Sequence, residues 1–205
     1  MERTAQHLGR RAARRKGRRG HGPALPSLLF FTDPARTPDP EAVATRLPRG
    51  AGVVFRAFGA LDAEARGRRL AAIARRRGLV LLVGADAGLA ARIGADGVHL
   101  PERAAHRARR LKAAHPHWLV TAAAHSPRAA RRALAAGAEA VVVSTVFASR
   151  SASAGAPMGP IRLAILVGRA GGPVYGLGGV DNKKARLLKG TGLVGLAAVD
   201  AFGGP

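Results

Sequence analysis

The chain has 205 residues, of which 47% are hydrophobic and 22% charged, and its formal net charge is +22. This length suits one domain with a core of its own, near the short end for a closed α/β barrel. The absence of cysteine excludes disulfides and thiolate metal sites. No apolar stretch approaches the roughly 18–20 residues of a membrane span, so a cytoplasmic protein with no membrane partner is expected.

The first 22 residues are predicted to form a basic arm that precedes a folded domain at 23–205. Seven arginines and lysines lie from Arg10 to Arg19, with almost no large apolar residues among them. A frayed basic helix, a helix across the barrel floor and a solvated arm are all compatible with this composition. A nucleic acid partner is not expected, because the positive charges are spread over several helices with few aromatic residues for base stacking.

Eight short apolar runs alternate with helical stretches along the rest of the chain. A continuous apolar run is typical of a strand that is buried on both faces, and strands that alternate with helices predict parallel pairing. The predicted strands are Leu28–Thr32, Gly52–Arg56, Leu79–Val83, Asp96–Leu100, Trp118–Ala122, Ala140–Ser144, Pro173–Gly176 and Leu193–Ala197. Eight such units predict an α/β fold, the parallel eight-stranded (β/α)8 TIM barrel, whose chemistry lies at the carboxyl ends of the strands.

The helical stretches between the strands are rich in alanine and arginine. They are predicted over Pro40–Leu47, Asp62–Arg77, Asp86–Ile93, Glu102–His115, Pro127–Ala136, Pro160–Arg169 and Asn182–Lys189. Ser126 before Pro127, and Asp181, are typical N-cap residues. The segment Phe147–Gly159 follows the sixth strand and is rich in Ser, Ala and Gly, and its length predicts a binding loop or lid at the active face.

Glycines follow the seventh predicted strand at a point where TIM barrels often bind phosphate. Gly178 and Gly179 come after this strand, and Val199 and Asp200 come after the eighth. Backbone N–H groups at such strand ends bind anions, and a glycine lets the anion approach the backbone closely. These four residues are the candidate phosphate-binding residues, with a simple turn as the structural alternative.

Five segments between residues 28 and 202 have the order and spacing of motifs in a known family. They are Phe31-Thr32-Asp33, Gly94–Leu100, His125-Ser126, Gly137–Phe147 and Gly178-Gly179-Val180. The chain thus resembles the thiamine-phosphate synthase/TenI family. This resemblance implies a TIM barrel that binds small phosphorylated heterocycles. Synthases of the family join hydroxymethylpyrimidine diphosphate to thiazole phosphate with Mg²⁺ and release diphosphate, whereas its thiazole tautomerases move protons on a thiazole carboxylate phosphate.

The chain departs from the family pattern where the resemblance implies Mg²⁺ binding. Family synthases carry Gln-Leu-Arg-x-Lys after the second strand, and only Arg56 of that motif is retained in Val54–Phe58. Both carboxylates expected to hold Mg²⁺ are missing from their matching positions, although Asp86 and Glu102 lie one or two positions away. Mg²⁺ prefers hard oxygen ligands, commonly one or two carboxylates. The family therefore implies Mg²⁺ as cofactor, while no residue here is predicted as a metal ligand.

Two arginines are the candidate cations for the diphosphate. The family's loop lysine is lost from the segment Ser149–Ala152, in which Ser149 and Ser151 remain as candidate phosphate-binding residues. Arginine binds phosphate oxygens through a planar fork, so Arg56 and Arg150 are predicted to replace the metal and the lysine as catalytic residues. Asp200 stands where the family usually has a phosphate-binding serine.

His125 is the third candidate catalytic residue. A histidine titrates near neutral pH, so His125 could serve as the general acid or base of a tautomerase, which requires no metal. The alternatives are a strand-end histidine bonded to the backbone and a residue that only binds substrate. His99 is flanked by core residues and is predicted to be structural. The functions that remain open are therefore a synthase, a tautomerase and a barrel that binds a phosphorylated ligand without turnover, and a homodimer is left open.

Overall fold

Eight parallel strands close into a barrel in the computed structural model, which describes residues 1–15, 24–149 and 155–199, with backbone alone from 9 to 15. Each strand pairs with the next along the chain, and the eighth pairs with the first. The strands are β1 Leu28–Phe31, β2 Gly52–Phe55, β3 Val80–Gly84, β4 Gly97–Leu100, β5 Leu119–Ala124, β6 Ala140–Val143, β7 Val174–Leu177 and β8 Gly195–Ala198. The predicted barrel is confirmed, and every predicted strand begins and ends within two residues of the observed one.

The helices surround the barrel. Those in the described part of the chain are α1 Glu2–Arg15, α2 Pro40–Arg46, α3 Ala63–Arg77, α4 Ala87–Ile93, α5 Ala108–Ala114, α6 Pro127–Ala135, α7 Gly159–Ala170 and α8 Asn182–Leu187. A 3₁₀ helix, Glu102–Arg107, precedes α5 and occupies the first half of the single helix predicted there. Such tight turns are frequent at the ends of α-helices, and the sequence pattern does not distinguish them from an α-helix.

Polar side chains cap the helices that follow β3, β5 and β7. Ser126 Oγ accepts a hydrogen bond from Ala129 N at 3.1 Å, and Asp181 Oδ1 accepts one from Lys184 N at 2.8 Å, as their N-cap positions predicted. Asp86 Oδ1 accepts a hydrogen bond from Leu89 N at 2.8 Å and caps α4 in the same way. Each contact satisfies an N–H group that the first helical turn leaves without a partner.

The core has two layers, because alternate residues of each strand face the barrel interior or the helices outside. Tyr175 is fully buried in the interior layer, and its hydroxyl donates a hydrogen bond to the carbonyl of Pro26 at 2.6 Å. Burial raises the pKa of this phenol. The interior layer contains Leu29, Phe31, Val54, Leu82, Leu119, Ala140, Val142, Tyr175 and Ala197. This filling leaves the mouth, at the carboxyl ends of the strands, as the part of the barrel where a ligand can bind.

The N-terminal helix α1 packs on the outer face of the barrel beside β1 and β8, and it also contacts α8. Ala5 and Leu8 lie one helical turn apart and are buried with the outer core residues. The amino group of Met1 donates a hydrogen bond to Asn182 Oδ1 at the start of α8. Ala5 and Leu8 therefore attach the start of this segment to the outer core of the barrel. Within the ranges described, no helix has the length and apolarity that a bilayer crossing requires.

Candidate active site at the barrel mouth

The mouth of the barrel is lined by residues at the carboxyl ends of the strands. Phe31 belongs to the interior core, and Leu177 and Val199 pack against that core while remaining partly exposed. The ring of His99 meets the ring of Phe31 edge to face, with centroids 5.0 Å apart. The guanidinium of Arg56 lies 5.7 Å from the centroid of the Phe31 ring. The mouth thus combines an apolar floor with one cation and one imidazole.

Arg56 is held at the mouth by residues of β1 and the loop that follows it. Its Nε donates to the carbonyl oxygen of Thr32 at 2.6 Å, and its backbone N–H donates to Thr32 Oγ1 at 2.9 Å. Its Nη2 pairs with Asp33 Oδ2 at 3.2 Å, and the exposed ring of Phe58 covers the guanidinium at 5.1 Å. Burial lowers the pKa of Arg56, while Asp33 opposes that shift. Arg56 is therefore a positioned cation whose charge is partly balanced by Asp33.

Gly178 and Gly179 form a tight turn against the loop that follows β6. Phe147 N donates to the carbonyl of Gly178 at 3.0 Å. A Cβ on Gly179, whose φ is 61°, would lie 2.3 Å from the carbonyl oxygen of Ala148. In the described part of the chain, the N–H groups of Gly178 and Gly179 donate no hydrogen bond. Backbone N–H groups at this place in a TIM barrel are typical anion-binding groups.

The end of β8 lies beside this glycine turn. The register pairs Leu177 with Ala197, so the residues that follow each strand are neighbours at the rim. Val199 is therefore adjacent to the turn, and its carbonyl accepts a hydrogen bond from Thr37 Oγ1 at 3.4 Å. Ser149 is described, on the loop after β6. Three other predicted site residues lie outside the described ranges: Arg150, Ser151 and Asp200.

His125 follows β5 at the outer edge of the mouth and is paired with Glu102. Glu102 Oε2 is 2.8 Å from His125 Nδ1 and also accepts a hydrogen bond from His125 N at 2.9 Å. An ionised carboxylate only accepts hydrogen bonds, so Nδ1 is the donor of this contact and Nε2 is the ring nitrogen left to meet a ligand. The side chain of His125 is 61% exposed. The structure therefore shows a histidine ring that is oriented by a carboxylate and is accessible to a ligand.

The residues that could have replaced the missing Mg²⁺ ligands do not fit that task. Asp86 caps α4, and Glu102 holds His125 and lies 4.0 Å from Arg132 Nη2. Among the residues that the structure describes, no three His, Asp or Glu side chains are grouped so that they could hold a metal ion. The carboxylates near the mouth therefore serve protein contacts, and we assign none of them to Mg²⁺.

His99 lies inside the mouth, on the interior side of β4. Its Nδ1 is 2.9 Å from Thr121 Oγ1 on β5, and burial, together with the nearby charge of Arg56, lowers its pKa to about 3. Alternation along Gly97-Val98-His99 is the signal in the sequence for this position, because Val98 packs outward. The flanking core residues predict a structural role for His99, and this role stays a prediction.

The fold and the mouth define the class of protein: a (β/α)8 barrel with polar groups gathered at the carboxyl ends of its strands. A sequence model of the TMP-TENI family, described as thiamine monophosphate synthase, matches residues 28–202, and the chain belongs to this family. The resemblance inferred from the motifs is thereby confirmed.

Named relatives agree with this assignment. The chain is 27% identical over 173 residues to the thiamine-phosphate synthase of Bacillus velezensis, a match that covers 80% of this chain and 77% of that protein. It is 39% identical over 139 residues to the thiamine-phosphate synthase of Anaeromyxobacter dehalogenans, covering 65% of this chain and 60% of that protein. A solved structure, thiamine phosphate pyrophosphorylase from Pyrococcus furiosus, has the same fold, with a TM-score of 0.72 and 24% identity over 86% of this chain and 87% of that one.

Proposed function

We propose that this chain is a thiamine-phosphate synthase-like enzyme that joins hydroxymethylpyrimidine diphosphate to thiazole phosphate at the barrel mouth. The observation that supports this function best is the presence at one mouth of a positioned cation, Arg56, and of two glycine N–H groups, at Gly178 and Gly179, that donate to no other described residue. Family membership adds the class of substrate. The rim amides would bind the phosphate of the thiazole, and Arg56 would face the diphosphate.

The reaction requires stabilisation of the charge that develops on the leaving diphosphate. Arg56 is fixed before substrate arrives by Thr32 and Phe58, so little reorganisation is needed to present its charge. Asp33 balances part of that charge, so one further cation is required, and Arg150 is our candidate. The thiazole nitrogen attacks the methylene carbon of the pyrimidine, the bond from that carbon to the diphosphate oxygen breaks, and its electron pair leaves with the diphosphate.

A second candidate function is a proton-transfer reaction of the thiazole tautomerase type. The pairing of His125 with Glu102 favours it, because the carboxylate orients the imidazole. Nε2 would take a proton from the thiazole carboxylate phosphate and return one at another ring position. This chemistry uses the same phosphate rim but does not depend on Arg56.

Two assays on the purified chain separate these functions. The first measures thiamine phosphate formed from the two coupling substrates, with Mg²⁺ or with excess chelator. The second measures exchange of deuterium from D₂O into thiazole carboxylate phosphate. Arg56→Lys, which keeps the charge but loses the fork, should lower coupling at least tenfold and leave exchange within about twofold.

His125→Asn should have the opposite effect, abolishing exchange and lowering coupling only slightly. Coupling that proceeds in chelator supports the replacement of metal by arginines, and strict dependence on Mg²⁺ rejects it. If neither reaction occurs while thiazole phosphate raises the melting temperature, the chain is a ligand-binding barrel and both enzymatic proposals are wrong.

A further inference from the structure

A buried histidine–threonine pair lies at the floor of the mouth, and the proposed reaction does not use it. His99 on β4 is 9% exposed, and Thr121 on the neighbouring β5 is fully buried. The two side chains meet at 2.9 Å between Nδ1 and Oγ1. The Phe31 ring packs edge to face on the imidazole and restricts its rotation.

The surroundings of Thr121 determine which nitrogen of His99 carries the proton. Within the described ranges, His99 Nδ1 is the hydrogen-bond partner of the Thr121 hydroxyl. A buried hydroxyl proton that finds no acceptor is costly, so the Thr121 O–H donates to Nδ1. Nδ1 is then the acceptor of this bond, and the ring proton lies on Nε2.

The imidazole stays neutral in this arrangement. If Nδ1 also carried a proton, it would donate to Thr121 Oγ1, and the hydroxyl proton of Thr121 would then have no acceptor. Burial and the charge of Arg56 act in the same direction and lower the pKa of His99 to about 3. Nε2 therefore presents an N–H group, and not a positive charge, at neutral pH.

The imidazole of His99 lies on the interior side of the barrel, between Phe31 and Thr121 at the base of the mouth. Among the described residues, Arg66 Nε on α3 is the buried side-chain nitrogen or oxygen atom that lacks a hydrogen-bond partner. His99 Nε2 is not such an atom, and 9% of the residue remains accessible. In the closed order of strands, β4 stands opposite β8. A ligand whose phosphate lies at the rim of β7 and β8 extends across the mouth toward His99.

We propose that Thr121 holds His99 as the Nε2–H tautomer, which donates a hydrogen bond to an acceptor atom on the ring of the phosphorylated heterocycle. His99 then contacts the ligand, and Thr121 is a positioning residue that acts through it. The ligand of this contact is that of the proposed function: a planar ring bearing a nitrogen or carboxylate acceptor, anchored through its phosphate. Arg56 supplies a positive charge at the same site, whereas the hydrogen bond from His99 orients the ring of the ligand.

The first test is ¹⁵N NMR of the histidine side chains in the full chain, with His99 assigned by comparison with His99→Gln. The expected spectrum has a protonated Nε2 and an unprotonated Nδ1 at pH 7. Thr121→Val removes the hydroxyl with almost no change of shape and should produce a mixture of tautomers, whereas Thr121→Ser should keep the wild-type signals. A protonated Nδ1 in the wild-type chain overturns the proposal.

The second test measures affinity by calorimetry with two probes, thiazole phosphate and inorganic phosphate. His99→Leu removes the donor and should weaken the binding of thiazole phosphate about tenfold, whereas Thr121→Val should weaken it only by the fraction of the other tautomer that it creates. Neither change should alter the binding of inorganic phosphate, because the rim is untouched. Thr121→Ser and His99→Gln, which keep a donor, should stay within about threefold. An equal loss for both probes overturns the proposal. A wild-type chain that binds inorganic phosphate but not thiazole phosphate refutes the proposed function, while the NMR result still decides the tautomer.

Discussion

The glycine turn after β7 permits a sharp test of the rim, the substitution Gly179→Ala. The added Cβ would lie 2.3 Å from the carbonyl oxygen of Ala148 and 2.8 Å from that of Phe147. Both neighbours are backbone atoms, so the clash is relieved only if the loop after β6 moves. That movement would pull on the hydrogen bond from Phe147 N to the Gly178 carbonyl and displace the N–H groups that we assign to the phosphate.

Gly190 supplies a matched control for the loss of stability that the clash at residue 179 causes. Its φ is 87°, close to the 61° of Gly179, but a Cβ placed there meets no atom within 4 Å. Gly190→Ala therefore costs only the left-handed backbone strain, about 1–2 kcal/mol. Gly179→Ala adds the overpacking penalty of about 1–3 kcal/mol, for a total of about 2–5 kcal/mol.

Urea unfolding of both variants measures these free-energy costs, and calorimetry measures the affinity of the rim N–H groups for inorganic phosphate. We expect Gly179→Ala to unfold at clearly lower urea than Gly190→Ala and to lose at least tenfold in phosphate affinity. Gly190→Ala should retain wild-type affinity. Equal stability of the two variants, together with unchanged phosphate binding by Gly179→Ala, would refute both the clash and the assignment of the rim.

Three further changes test the interior. Between pH 7 and pH 5 the wild type should lose about 2 kcal/mol more of its unfolding free energy than His99→Gln does. The pKa of His99 is about 3 in the folded chain and 6.5 is its ordinary value, so the unfolded chain protonates first as the pH falls. Parallel pH profiles of the two proteins would contradict this. Tyr175→Phe leaves the Pro26 carbonyl without its donor and should cost about 1–3 kcal/mol in urea. It should also remove a loss of stability above pH 10, because burial raises the pKa of Tyr175 and the unfolded chain ionises first as the pH rises. Glu139→Ala removes the acceptor of Val120 N at the start of β5 and should lower stability by about 1–3 kcal/mol, with a shift below 0.5 kcal/mol counting against that role.

The strands and several helix starts were predictable because their determinants are local. The apolar runs and the caps at Ser126 and Asp181 lie within a few residues of the elements that they specify. The position of α1 was not predictable in this way. Its buried apolar residues in the described part, Ala5 and Leu8, carry too little periodicity to indicate which face of the barrel receives them.

The candidate site divides along the same line. Sequence reasoning selected Gly178 and Gly179 from their places after a strand and Arg56 as the retained residue of a family motif. Asp33, which precedes Pro34, is compatible by sequence both with facing the mouth and with capping a turn. In the structure Asp33 Oδ1 accepts from Ala35 N at 3.1 Å while Oδ2 pairs with Arg56 at 3.2 Å, so it has both roles. These partners lie on different strands, and their distance depends on the register between β1 and β2.

The order of residues along this chain determined that it is a closed α/β barrel of the thiamine monophosphate synthase family, because continuous apolar runs and motif spacing are properties of neighbouring residues. Tertiary structure alone decided what the polar groups at the mouth do. Glu102 orients His125, Asp33 pairs with Arg56, and Thr121 partners His99. Hydrogen bonds act over about 3 Å, and only the closing of the barrel brings residues some twenty positions apart within that distance.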